Sequence, residues 1–177
     1  DGNWEIYYKR SMDAGKSWSE DLRFTFDEGI SEVPSVTVEG ENVYLVWEDS
    51  RDGPTEYDYE IYFSKSADGG MTWSEPLRLT HALKYSLDPS IAARGSRLYV
   101  VWQDRRDSAE VGRIPDSEVY YKYSLDGGLT WSDDIRLTRD PGNSIIASVA
   151  VTENAVHVFW EEIRAGSPQV YFRRMAQ

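Results

Sequence analysis

The chain has 177 residues, 40% of them hydrophobic and 28% charged, and holds no apolar run near the roughly 18 residues that a membrane-spanning helix needs. Nineteen Lys and Arg face 31 Asp and Glu, a net charge of −12, so the backbone of a nucleic acid would be repelled and neither a nucleic-acid nor a membrane partner is expected. There is no cysteine, which excludes disulfides, thiolate metal sites and a Cys nucleophile. The chain starts with Asp rather than Met, which suggests a processed product or a piece of a longer chain.

Short alternating strands broken by turn residues run through the whole sequence, with little helical periodicity. The first two are expected at Trp4 to Arg10 and Leu22 to Phe26. A unit of four follows: strand A at Ser35 to Val38, B at Val43 to Trp47, C at Glu60 to Ser64 and D at Leu77 to Thr80. The next unit places A at Ser90 to Ala93, B at Leu98 to Trp102, C at Glu118 to Tyr123 and D at Ile135 to Thr138. The last supplies A, B and C at Ser148 to Val151, Val156 to Trp160 and Gln169 to Arg173, which makes 13 strands. The expected divisions are therefore a half blade over 1–33, blades over 34–88 and 89–146, and an incomplete blade over 147–177.

Two landmarks repeat in step. The pattern S-x-D-x-G-x-[ST]-W recurs with Ser11, Asp13, Gly15 and Trp18, with Ser66, Asp68, Gly70 and Trp73, and with Ser124, Asp126, Gly128 and Trp131. An apolar run ending in Trp47, Trp102 or Trp160 follows each pattern 36 residues after its Ser, and both landmarks step by 55 and then 58 residues. Six of the seven tryptophans fall in these two sets and read as repeated core positions, with only Trp4 outside them. Repeated four-stranded antiparallel sheets of this period predict an all-β chain, a partial β-propeller of about three blades.

The S-x-D-x-G-x-[ST]-W segments resemble the Asp-boxes, or BNR repeats, of sialidase-like propellers. The resemblance covers nearly the whole chain. It implies a structural hairpin turn between strands C and D, in which the Asp accepts turn N–H groups, Gly supplies a positive φ and Trp packs into the blade. One carboxylate per box falls short of the alternating oxygen ligands of a calcium loop, so no metal is expected there. No cofactor is expected either, although the acidic face leaves room for a cation such as calcium. The family also implies a secreted, periplasmic or cell-surface location, with any targeting signal outside these residues.

All length variation lies between strands B and C, whose loops share one face with the D-to-A connections, opposite the boxes. Variable loops on a fixed scaffold are where binding and catalysis usually reside. The B-to-C loops open with a repeated W-[EQ]-[DE]-x-R, which sets Arg51, Arg106 and Arg164 beside Asp49, Asp104 and Glu162. These read either as a ladder of Asp/Glu-to-Arg pairs pinning adjacent blades or as a ligand site with anion-binding forks. The six loops of that face carry −9 of the total −12, a field unfavourable to an anionic sugar.

Sialidases of this fold hold a sialic-acid carboxylate with three arginines and use a Tyr nucleophile activated by Glu, with an Asp as acid/base. Their first arginine lies in [FY]-R-I-P on an opening strand, whereas Gly112-Arg113-Ile114-Pro115 matches only R-I-P and lies in the longest B-to-C loop. Tyr57 with Glu56 is the weak counterpart of the Tyr/Glu pair, and Asp104 is a further weak catalytic candidate. His81 and His157 stand alone and form neither a metal site nor a triad. The expected role is a non-catalytic Asp-box scaffold that binds a glycan or protein; the alternative is part of a sialidase-like exo-glycoside hydrolase acting on glycan termini. Thirteen strands leave a ring open, since propellers close with about 4 to 8 four-stranded blades, so a homo-oligomer or the remaining blades of a parent chain are the expected partners.

Overall fold

The structure is a computed structural model that describes residues 2–53, 55, 58–82, 84–108, 116–139, 142–164 and 166–176. Among them, strands form four antiparallel sheets and no helix occurs. The first sheet pairs β1 (Tyr7–Tyr8) with β2 (Leu22–Arg23). The second runs β3 (Ser31–Glu39), β4 (Asn42–Asp49), β5 (Glu60–Ser66) and β6 (Leu77–Arg78) in sequence order. The third repeats this with β7 (Ser86–Arg94), β8 (Arg97–Asp104), β9 (Glu118–Ser124) and β10 (Ile135–Arg136). The last sheet holds β11 (Asn143–Val151), β12 (Ala155–Arg164) and β13 (Ser167–Ala176).

The second strand of each unit reads as a nearly continuous apolar run because neighbouring sheets cover both of its faces. Alternate residues of β4 accordingly feed different cores. Val46 packs with Ile61, Phe63, Leu98, Val100 and Trp102 toward the third sheet, while Leu45 and Trp47 pack with Ile6 and Tyr62 toward the first. A third core joins Val101 and Val119 to Val149, Val158 and Trp160. Each landmark Trp thus faces the preceding sheet. The sheets meet through their first strands, β3 against β7 and β7 against β11, which places strand A innermost, beside the propeller axis.

The outermost strands are shorter than the sequence pattern predicts. Leu77 to Thr80 was the expected span, yet the ladder stops at Arg78, because the Thr80 hydroxyl replaces a backbone carbonyl in accepting from Ile61 N–H at 2.8 Å. Thr25 does the same for Ile6 and Thr138 for Val119. The innermost strands are longer than predicted, since each carries a bulge at its start, between Glu32 and Ser35, Leu87 and Ser90, and Ile145 and Ser148. At these bulges Val33, Asp88 and Ile146 sit at φ of 48°, 51° and 52°, a costly conformation for the β-branched Val33 and Ile146 and an easier one for Asp88. A bulge bends a strand and re-aims its residues, here at the axis.

Antiparallel order puts the A-to-B and C-to-D turns at one end of the blades and the B-to-C and D-to-A loops at the other. Backbone bonds join each inner box to its neighbouring A-to-B turn, Gly69 N–H to Glu41 O at 2.9 Å and Gly127 N–H to Ser96 O at 2.8 Å.

Candidate functional site

The three boxes are alike in geometry. In the second, Ser66 Oγ accepts from Gly70 N–H and donates to Asp68, whose carboxylate also accepts from the backbone and hydroxyl of Thr72. Asp13 with Ser11 and Ser17, and Asp126 with Ser124 and Thr130, repeat the pattern. The Ser17 hydroxyl and amide, followed by Ser11, lower the Asp13 pKa to about 2. Asp68 is held below the ordinary range by Ser66 and Thr72, and Asp126 by Thr130 and Ser124. Ring contacts take Trp73 onto Tyr8 and Phe24 of the first sheet and Trp131 onto Phe63 of the second, while Trp18 is 61% exposed. Box carboxylates saturated by their own turns leave little to offer a ligand.

At the opposite end, each W-[EQ]-[DE]-x-R segment closes on itself. Asp49 accepts from Trp47 Nε1 at 2.8 Å, from Ser31 Oγ at 2.7 Å and from the amide, Nε and Nη2 of Arg51 at 3.0, 2.9 and 2.6 Å. Asp104 repeats this with Trp102, Ser86 and Arg106, and Glu162 with Trp160, Ser144 and Arg164. Burial pushes the Asp49 carboxyl up, but the hydrogen bonds from Arg51, Ser31 and Trp47 outweigh it and its pKa lies below the ordinary value. The guanidinium planes lie over Tyr62, Tyr120 and Tyr171 at 4.8, 4.6 and 5.0 Å. Arg51 also pairs with Asp27, in the loop that leaves the first sheet, and Arg106 with Asp134 of its own blade, so the arginine bonds to the carboxylate two residues earlier stay local while one added pair joins neighbouring blades.

The weak catalytic candidates Glu56 and Tyr57, like Arg113 to Pro115, lie outside the described residues. Asp104 is committed to Trp102 and Arg106. The phenols of Tyr62 and Tyr120 donate to Asp52 and Asp107, and burial together with those carboxylates raises both pKa values well above the phenol range. A second repeated network has no counterpart among the expected site residues: Glu5, Glu60 and Glu118 pair with Arg23, Arg78 and Arg136 at 2.5, 2.8 and 2.6 Å. Its signal was present as E-[IV]-Y followed by [LI]-R-[FL]-T.

Where the first strands meet, polar groups from adjacent blades converge. Glu48, 5% exposed, accepts from the amide of Asp88 in the next blade at 2.7 Å and so holds that blade's left-handed bulge. The Asp88 carboxylate accepts from Gln103 Nε2 at 2.5 Å, and the buried Gln103 Oε1 has no partner. Burial is the main cause that lifts Glu48 to about 8, assisted by the charges of Asp88 and Glu32. Asp88 is raised by burial and eased by Arg105, whose guanidinium lies over Tyr85 at 5.5 Å and meets Ser117 Oγ at 3.3 Å. Glu48 and Gln103 occupy the second position of W-[EQ]-[DE]-x-R, beside the carboxylates that pair with the arginines. Among the described residues no group of three or more metal-ligating side chains occurs.

Radial antiparallel sheets of this kind, with the first strand at the axis, define a β-propeller. The repeat within it is of the Asp-box type: the family model described as BNR/Asp-box repeat matches residues 122–133. Curated proteins give no match in sequence. The solved structure titled Hadza microbial sialidase Hz136 superposes with a TM-score of 0.69 at 18% identity over 96% of this chain and 38% of that one. Zg3597, a family 117 glycoside hydrolase of Zobellia galactanivorans, gives 0.59 at 12% identity over 97% of this chain and 58% of that one. The GH93 α-L-arabinofuranosidase of Fusarium graminearum, a complex with arabinobiose, gives 0.59 at 18% identity over 96% and 54%. The chain therefore carries a BNR/Asp-box repeat on a β-propeller fold similar to that of these structures, and it spans between 38% and 58% of their length.

Proposed function

We propose that the chain is a non-catalytic propeller module that binds an uncharged glycan at the axial end of its acidic face. The observation that carries this reading is the closure of all three arginine segments on their own carboxylates, so that Arg51, Arg106 and Arg164 are already engaged rather than open to a sialic-acid carboxylate. The axial groups Asp88, Gln103 and Glu48 are mostly acceptors, suited to the hydroxyls of a neutral sugar, and the surrounding loops repel anions. Carbohydrate as the ligand class is taken from the structurally similar glycoside hydrolases, and a secreted or cell-surface setting goes with it. The test is calorimetric titration with neutral oligosaccharides and sialosides. Saturable heat from a neutral member and none from sialosides is expected; preference for sialosides would overturn the reading.

A second reading, part of a glycoside hydrolase acting on glycan termini, is favoured by Glu48, which burial keeps protonated near neutral pH beside Asp88, the arrangement a general acid needs. It predicts turnover of neutral aryl glycosides that Glu48→Gln abolishes while binding persists. No turnover by the wild type, with binding intact, selects the non-catalytic role.

A further inference from the structure

One backbone carbonyl is freed at the same place behind each outer strand. The Thr25, Thr80 and Thr138 hydroxyls accept from Ile6, Ile61 and Val119 N–H. The residue before each threonine still donates to the same partner, Phe24 N–H to Ile6 O, Leu79 N–H to Ile61 O and Leu137 N–H to Val119 O. The carbonyls of Phe24, Leu79 and Leu137 thereby lose their ladder bond and call for another donor. At two interfaces the next blade supplies a cation: Lys122 Nζ donates to Leu79 O, and Arg173 Nη1 donates to Leu137 O at 2.8 Å. The two hold the same register position, Lys122 opposite Val100 and Arg173 opposite Val158.

At the first interface that position, opposite Leu45, is Ser64. Its hydroxyl is too short to cross to the first sheet and donates to Ser74 O at 2.8 Å within its own blade. Asp134, the carboxylate that pairs with Lys122 at 2.9 Å, corresponds to Pro76 one repeat of 58 residues earlier. Phe24 and Pro76, together with Arg51, Trp73 and Ser74, line a groove of about 580 Å³ between β2 and the second box hairpin. The groove stands where the Lys122–Asp134 pair fills the following interface, and no side chain among the described residues donates to Phe24 O.

We propose that this groove receives a lysine side chain of a partner polypeptide, whose ammonium donates to Phe24 O as Lys122 Nζ does to Leu79 O. Its butyl stem would lie along Trp73 and Pro76, the apolar setting in which a lysine stem packs while its head stays hydrogen-bonded. Both cations that fill this position elsewhere in the chain are side chains borne on a strand, and a net charge of −12 draws a basic segment toward the protein. The neighbouring arginine is no bar to an ammonium. Arg106 shares Asp134 with Lys122, and in the first interface Arg51 is paired with both Asp49 and Asp27. Arg23, which also lines the groove, works against a ligand that carries a second cation. The site lies at the outer rim between blades, apart from the axial groups.

Proton–nitrogen NMR of the labelled chain tests this, read at the Phe24 and Thr25 amides and the Trp73 indole, with capped Gly-Lys-Gly, capped Gly-norleucine-Gly and 1,5-diaminopentane each titrated to millimolar concentration. Saturable shifts with the lysine peptide and none with the norleucine peptide are expected. Pro76 is exposed, so Pro76→Asp keeps the fold; it restores the counter-ion that Lys122 has and should tighten the lysine peptide roughly two- to fivefold, as an exposed ion pair does. Adding Ser64→Lys to Pro76→Asp fills the groove from within and should remove the response. Equal shifts with norleucine, no shift with lysine, or a Pro76→Asp variant that binds no tighter would each overturn the proposal. Tighter binding of 1,5-diaminopentane than of the lysine peptide would also overturn it, giving the groove to a free diamine.

Discussion

Gly15, Gly70 and Gly128 hold the same place in the three boxes, at φ of 85°, 83° and 81°, yet they are constrained differently. At Gly15 an added methyl meets nothing within 4 Å, so Gly15→Ala pays only the left-handed backbone term, about 1 to 2 kcal/mol. At Gly128 the same methyl collides with Phe63, and overpacking adds roughly 1 to 3 kcal/mol. Urea unfolding should therefore show Gly128→Ala as clearly the less stable variant. Glu48 gives a pH signature. Its folded pKa is raised from 4.5 to about 8, so the folded state binds the proton more tightly, and the stability this contributes is complete below about 4.5 and lost as pH rises toward 8. Glu48→Gln keeps an acceptor for the Asp88 amide and should flatten the fall in melting temperature between pH 5 and pH 8 at roughly that window. An unchanged slope would show that another group governs it.

At the scale of the element, the blades were legible where one residue type recurs at a fixed offset. The boxes, the B strands ending in Trp47, Trp102 and Trp160, and the order of strands could all be read, because periodic apolar runs and turn residues report local structure. Strand ends were not. The outer strands stop where Thr25, Thr80 and Thr138 lend a side-chain oxygen to the neighbouring strand, which period-2 alternation does not encode. Thr80→Val tests that bond: the shape is kept, the buried Ile61 N–H loses its acceptor, and about 1 to 3 kcal/mol of stability should go. Amide exchange at Ile61 should accelerate with it. The arginines were visible as a motif, but their pairing partner two residues earlier was open to more than one reading, since a sequence shows neighbours and not the direction of a side chain. The axial cluster was hidden for a related reason. Glu48, Asp88 and Gln103 are brought together by a bulge at φ of 51° on a residue of the next blade, a backbone irregularity with no sequence signature of its own.

Across the whole molecule, the two ends of the blades are built differently. The box end is built from closed turns and pegs that bind blade to blade. The other end has variable loops, a repeated set of self-paired arginines that brace it, and an axial group of acceptors that packing with its own blade does not fully satisfy. Both terminal sheets expose apolar side chains, among them Trp18, Phe26, Val170 and Phe172. On the proposed function, ligand binds at the axis while the arginines are structural. Calorimetric titration of a neutral oligosaccharide that binds the wild type into Asp88→Ala and Arg106→Lys measures this most directly, each variant with its melting temperature recorded. Asp88→Ala should stay folded and lose affinity at least tenfold, about 1.4 kcal/mol, whereas Arg106→Lys should melt earlier and bind as the wild type does. Lost affinity in Arg106→Lys at unchanged stability, with Asp88→Ala binding normally, would contradict it.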